Sequence, residues 1–247
     1  MRIISRLDIK NKTLIKGLNF EGLRQLGNAE DFAKKYFEEN IDEIMYIDSV
    51  ASLYSRSGLH EILTFTVKNI FVPLTVSGAI KSVEDALLYF KNGADKISVN
   101  TGAVENPSLI NDLVENFGSA NVALSIEAKK TDENKWNVFT STGRDNSGKD
   151  LKDWISEATD RGVGEISITS IDNDGYQNGF DYKMIELALE HTLVPLIVGG
   201  GFGRLEHLDK LDKSISGILV GSALHYKKLT ISSIKEHLSK LNFEVRT

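Results

Sequence analysis

The chain has 247 residues, 41% hydrophobic and 26% charged, and 35 acidic against 29 basic side chains give it a formal net charge of −6. These values exclude a disordered chain, and with no apolar run near the roughly 18 residues of a membrane helix they exclude a transmembrane span. The acidic balance argues against nucleic acid or an acidic membrane as the main partner.

There is no cysteine, so this chain supplies neither a disulfide scaffold, a thiolate metal site, an iron–sulfur cluster nor a cysteine nucleophile. The five histidines, His60, His191, His207, His225 and His237, form no HxxH or HExxH spacing, and neither metal nor cofactor is expected. Charge appears within the first residues, Met1-Arg2-Ile3-Ile4-Ser5-Arg6, too early for a secretory signal, so a cytoplasmic location is expected. The length suits one large core or two small domains.

In chain order, short β-branched runs alternate with segments of helical period. Eight strands are expected: Ile3 to Asp8, Glu43 to Asp48, Pro73 to Ser77, Lys96 to Asn100, Asn121 to Glu127, Glu165 to Ser170, Pro195 to Gly199 and Gly217 to Gly221. A helix should follow each. One starts near Ala29 with Asn28 as its cap, one near Ser82 with Glu84 and Asp85 in its first turn, one behind Pro107, and the last runs from about Thr230 to Leu241. Lys10 to Gly27 reads as a long loop.

Eight β/α units in this length match a (β/α)8 TIM barrel better than an open Rossmann-like sheet. Val72-Pro73-Leu74-Thr75-Val76-Ser77-Gly78 recurs as Val194-Pro195-Leu196-Ile197-Val198-Gly199-Gly200, 122 positions on from Val72 to Val194. Lys96 to Ala103 corresponds to Gly217 to Leu224, and Leu7-Asp8-Ile9-Lys10 to Ile126-Glu127-Ala128-Lys129, 119 positions on from Asp8 to Glu127. A near-constant offset implies two similar half-barrels closing as a single domain over residues 1–247.

In such a barrel the active site gathers at the carboxyl ends of the strands. There the chain offers Gly78, Ala79, Asn100 and Thr101 in one half, and Gly200, Gly201, Gly221 and Ser222 in the other, with Asp174 and Gly175 nearby. Small residues either merely turn the chain or let backbone N–H groups approach an anion. A matched pair of such cradles favours a substrate with a phosphate at each end. Asp8 and Glu127 end opposite strands between the cradles, placed for proton transfer unless they pair with Lys10 and Lys129 at the rim. Lys16, in the long loop, is either solvated or a lid residue over an anionic substrate. Arg2, Glu43, Lys96 and Glu165 stand at the strand starts, a charged ring that by itself reads as a solvated rim.

Together these residues resemble the cyclase-subunit family of the imidazole glycerol phosphate synthases, over essentially the whole chain. The resemblance rests on Arg6-Leu7-Asp8-Ile9, Lys16-Gly17-Leu18-Asn19-Phe20, Pro73-Leu74-Thr75-Val76, Ser82-Val83-Glu84-Asp85-Ala86, Gly93-Ala94-Asp95-Lys96, Ser98-Val99-Asn100, Thr169-Ser170-Ile171-Asp172-Asn173-Asp174-Gly175 and Leu205-Glu206-His207. It implies that a separate glutaminase subunit docks on the amino-terminal face and sends ammonia through the barrel. There the ammonia cleaves and cyclises a bisphosphorylated ribonucleotide, giving imidazole glycerol phosphate and aminoimidazole carboxamide ribotide in histidine biosynthesis. It casts Asp8 and Glu127 as the acid–base pair, Lys16 as the mobile-loop lysine, and Asp174 and Gly175 as substrate-binding residues. Arg2, Glu43, Lys96 and Glu165 become the ring around the ammonia entrance, and Asp95 faces the glutaminase.

Three departures from the family pattern all lie on the catalytic face. Glu127 replaces an aspartate, Ser77-Gly78-Ala79 replaces three glycines, and Ser49-Val50-Ala51-Ser52-Leu53-Tyr54-Ser55-Arg56 is bulkier than the usual loop. Two alternatives therefore stand beside the histidine reaction. One is a paralogous ammonia-conducting subunit supporting amidation or amidination of a sugar in surface-polysaccharide biosynthesis. The other is a non-catalytic activator of the glutaminase.

Overall fold

The computed structural model describes residues 1–49 and 59–246. In chain order the elements are β1 (Arg2–Lys10), β2 (Thr13–Leu18), β3 (Glu21–Asn28), α1 (Ala29–Glu38), β4 (Glu43–Asp48), α2 (Leu59–Asn69), β5 (Leu74–Ser77), α3 (Val83–Lys91) and β6 (Lys96–Val99). There follow α4 (Thr101–Glu105), α5 (Ser108–Phe117), β7 (Val122–Asp132), β8 (Lys135–Thr140), β9 (Asp145–Asp150), α6 (Leu151–Asp160), β10 (Glu165–Ser170), α7 (Tyr182–His191), β11 (Leu196–Gly199), β12 (Gly217–Val220), α8 (Ser222–His225) and α9 (Ile231–Lys240).

Eight parallel strands, in the ring order β1, β4, β5, β6, β7, β10, β11, β12, close on themselves through the β12–β1 and β7–β10 pairings. This is the expected (β/α)8 barrel, and the eight expected strands are its staves. Alternation along β1 sends Ile3, Leu7 and Ile9 into the core shared with the helices, while Ile4 joins Met45, Ile197 and Leu219 inside the bore. The expected helix starts are also found. Asn28 accepts from Glu30 N, Ser82 from Asp85 N, and Thr230 forms a reciprocal capping box with Ser233.

Two expectations need correction. The segment from Lys10 to Gly27 is not a loop: β1 runs past the barrel and continues into an antiparallel arm with β2 and β3. Its tip turns at Asn19 and Phe20, both with positive φ (50° and 63°), the geometry that matches hairpin twist. Secondly, no α-helix follows β11, only a tight turn over Leu205–Leu208. The stretch is bounded by Gly203 and by a turn in which Asp212 accepts from Ser214 N and Oγ, leaving room for little more.

The half-barrel repeat extends to the arms. β7 also outruns the barrel and pairs with β8, which pairs with β9. The two arms meet over the mouth, where Phe20 packs with Phe139 and Ile171.

Candidate active site

At the amino-terminal end the four ring residues form one closed circuit of ion pairs. Arg2 bonds Glu43 (Nη1–Oε2, 2.8 Å) and Glu165, and Lys96 bonds Glu165 (2.9 Å) and Glu43 (3.2 Å). Thr75 Oγ1 donates to Glu43 at 2.6 Å. The reading of these residues as a solvated rim is overturned, because Glu43 is almost fully buried and each charge is satisfied by another across the bore. Asp95, at the same end and exposed, accepts from Leu74 N at 2.8 Å. Phe71 and Leu193, 73% and 92% exposed, lie just ahead of β5 and β11 on this face.

Above the ring the bore is two-sided. Ile4, Met45, Ile197 and Leu219 make an apolar wall, and Ser98, Ser125 and Ser167 a chain of hydroxyls at 2.7 and 3.1 Å.

The carboxyl-terminal mouth holds two adjoining cavities. One is lined by Ser77, Gly78, Ala79, Asn100, Thr101 and Glu127 among others, the other by Lys16, Asp174, Gly175, Gly200, Gly201, Gly221 and Ser222. They share Arg6, Thr169 and Leu219 as floor. The expected cradles are thus brought together as two groups, and their backbones repeat. Asn100, opening α4, has φ −133° and ψ −89°, and Gly221, opening α8, has φ −117° and ψ −90°.

Glycine is required sterically in both. A Cβ on Gly78 would stand 2.9 Å from Asp48 Cβ, and one on Gly201 only 1.9 Å from Gly179 O. Ala79 carries a side chain at φ 51°, a conformation glycine adopts freely and alanine does not. Ser222 Oγ is buried with no hydrogen-bond partner among the described residues, a donor open to a ligand oxygen. Thr101 Oγ1 instead accepts from Ser141 N of the second arm.

The acids do not pair with Lys10 or Lys129. Asp8 accepts from Arg6 Nε at 2.9 Å and has Lys16 Nζ 3.6 Å away; Glu127 lies 3.5 Å from Arg6 Nη2 and accepts weakly from Asn100 Nδ2 at 3.4 Å. Lys16 is not solvated: it is 3% exposed and donates to both oxygens of Asp174 at 3.0 and 2.7 Å. Asn19 N also bonds Asp174 O at 3.0 Å, so the first arm lies closed on the site. Asp8, beneath it, lines neither cavity.

The two carboxyls differ in charge state. Burial works to raise Asp8, but Arg6 and Lys16 outweigh it and hold the group below the ordinary aspartate range. Burial pushes Glu127 up to about 7, Arg6 offsetting only part and the nearby Asp8 and Asp174 adding to the rise. His225, stacked on Tyr36 and bonded to its hydroxyl at 2.8 Å, is held down to about 4 by burial and by Lys16, and so is neutral.

Two participants were not singled out in the sequence: Arg6, among the described residues the only side chain touching both acids, and Thr169, which accepts from Arg6 Nη1 at 3.2 Å. The Arg6-x-Asp8 spacing, which puts both on one face of a strand, was the available signal. Of the altered loop from Ser49 to Arg56, only Ser49 is among the described residues. Among the described residues no helix is long and apolar enough to cross a membrane, and no three His, Asp or Glu side chains cluster as a metal site.

Residues 2–230 match the family model described as histidine biosynthesis protein. The chain is 46% identical over 209 residues to the imidazole glycerol phosphate synthase subunit HisF of Legionella pneumophila, covering 85% of this chain and 99% of the relative. It is 41% identical over 246 residues to the subunit of the same name from Dictyoglomus thermophilum, and 39% over 247 residues to that of Streptococcus sanguinis, covering 99% of this chain and 98% of the relative in both cases. With a barrel whose two ends are a charged ring and a pair of cradles around two carboxyls, and with these relatives aligned along nearly its whole length, the chain belongs to the histidine biosynthesis protein family.

Proposed function

We propose that the chain is the cyclase subunit of an imidazole glycerol phosphate synthase, one domain over its full length. In this reading it accepts ammonia from a separate glutaminase and uses it to cleave and cyclise a bisphosphorylated ribonucleotide. The products are imidazole glycerol phosphate and aminoimidazole carboxamide ribotide. The observation that carries it is the mouth, where two carboxyls of unlike charge state sit between two cradles with matching backbones.

Each end of the barrel has a part. One phosphate is held by Gly78, Ala79, Asn100 and Thr101, the other by Gly200, Gly201, Gly221 and Ser222, with Asp174 and Gly175 beside it. Asp8, ionised, takes up a proton and Glu127, protonated, gives one. Lys16 on the closed arm screens the anionic substrate and excludes water. The opposite face receives the glutaminase around Asp95, Phe71 and Leu193, and the Arg2–Glu43–Lys96–Glu165 circuit forms the ammonia entrance. Neutral ammonia then crosses a bore that offers hydroxyl partners along one wall.

The test is turnover of the bisphosphorylated ribonucleotide by the purified protein with ammonium salt. Both products are expected, and Asp8→Asn should reduce their rate at least 10²-fold. No product with ammonium or with a glutaminase present would sink the reading. Stimulation of the glutaminase without either product would move the assignment to a subunit that conducts ammonia to another acceptor.

A further inference from the structure

Arg6 is the least accounted-for group in the mouth. Its side chain leaves β1 on the same face as Asp8 and reaches across the bore to Thr169 on β10 and Glu127 on β7. The ring of Phe20, at the tip of the first arm, covers the guanidinium at 4.9 Å, and Arg6 is only 5% exposed. A guanidinium keeps its proton at every pH at which proteins fold, so Arg6 neither gives nor takes one. What it can do is decide where a negative charge rests.

Its contacts with the two acids are unequal. On Asp8 it makes a charge-assisted hydrogen bond of 2.9 Å, and Lys16 stands 3.6 Å from the same carboxylate. Toward Glu127 it presents Nη2 at 3.5 Å, an atom with no hydrogen bond among the described residues. Among the described residues nothing else cationic touches Glu127, whose other side-chain contact there is the amide of Asn100. The longer side chain of Glu127 also acquires a reason, because it reaches toward a group anchored on the opposite strand. An aspartate would draw back by about 1 Å and leave Nη2 facing no acid.

We propose that Arg6 is a positioning residue that divides the roles of the two carboxyls: by bonding Asp8 and only approaching Glu127, it keeps Asp8 the proton acceptor and leaves Glu127 the proton donor. Glu127, pushed up to about 7 by burial, and Asp8, held low against burial by Arg6 and Lys16, agree with this division. Among the described residues the other charged groups facing the pair are Lys16 and Asp174, while Asp48 and Lys81 line the same cavity as Glu127; His225, behind Arg6, is neutral. One proton taken up at Asp8 and one given by Glu127 leave the charge of the pair unchanged. The inference rests on the proposed reaction for its catalytic consequence, though not for the titration of the acids.

The experiment compares the wild-type protein with Arg6→Gln and Arg6→Lys, by the pH profile of ammonium-driven turnover and by 13C NMR of carboxyl-labelled Asp8. In Arg6→Gln the rising limb of kcat and the Asp8 titration should both move up by at least one pH unit. Its kcat should fall at least 10²-fold, with KM changing much less. Arg6→Lys, which keeps the charge without the fork, should return the rising limb to within half a unit of wild type. An unmoved Asp8 titration in Arg6→Gln, or a Lys variant titrating like the Gln variant, overturns the proposal. Should Arg6→Gln not fold, an Arg6→Lys protein whose Asp8 titrates a unit or more higher than wild type overturns it equally. Absence of turnover in the wild type would sink the proposed reaction, while the Asp8 titration would still decide the role of Arg6.

Discussion

Replacing Glu127 by glutamine isolates the free energy stored in one buried carboxyl. Folding raises this group from the ordinary 4.5 to about 7, chiefly by burial. A folded-state value above the unfolded one means that the native protein binds the proton more tightly, so the stabilisation is complete below the unfolded value. It is lost as pH rises through the folded value. Each tenfold change in proton affinity corresponds to about 1.4 kcal/mol, so ionising Glu127 in place costs the fold about 3 kcal/mol between pH 4.5 and 8. Glutamine has the shape of the protonated acid and no titration. The two proteins should therefore be about equally stable at pH 4.5, and the variant more stable by about 3 kcal/mol at pH 8. With about 2.1 cal/mol/K of unfolding entropy per residue, that is a difference of about 6 °C in Tm. Paired thermal melts from pH 4.5 to 8 measure it. Curves that run parallel across that range would refute the reasoning, and a gap opening toward low pH would reverse its sign.

The other tests address the arm, the ring and the first cradle. Lys16→Met removes the ammonium that binds Asp174 at 2.7 Å and faces Asp8, and should lower kcat/KM for the ribonucleotide at least 10²-fold in steady-state assays. Glu43→Ala leaves Arg2 and Lys96 sharing Glu165; since Arg2 is about a third exposed, the loss should be about 2 kcal/mol, below that of a fully buried pair, by denaturant unfolding. The same variant should change glutamine-driven turnover more than ammonium-driven turnover. Ala79→Gly relieves a left-handed alanine and should gain about 0.5–1 kcal/mol net of chain entropy, a rise of 1–2 °C in Tm, by about the same entropy per residue.

Much of the architecture was legible because it is local. The caps at Asn28, Ser82 and Thr230 act within three residues, and the eight barrel strands are short apolar runs whose burial follows from two-residue alternation. The 122-residue repeat likewise carried the pairing of the cradles, since like sequences take like backbones, as Asn100 and Gly221 show. The first arm escaped because β3 is exposed along almost its whole length and shows no apolar alternation. Its strand conformation comes from pairing with β2 and from the turn at Asn19 and Phe20, a signal two residues long.

The sequence by itself determined the barrel, its repeat, and which residues gather at each end. It also marked Glu127 as unusual without saying what the longer acid meets. Only the tertiary structure decided that, because Arg6 and Glu127 stand on opposite staves of the barrel and touch only after closure. The same closure removes both acids from water, and from within that shared burial Arg6 and Lys16 hold Asp8 charged while Glu127 keeps its proton to near neutrality. A charge state depends on distance and solvent exclusion, and these are set by packing rather than by residue type.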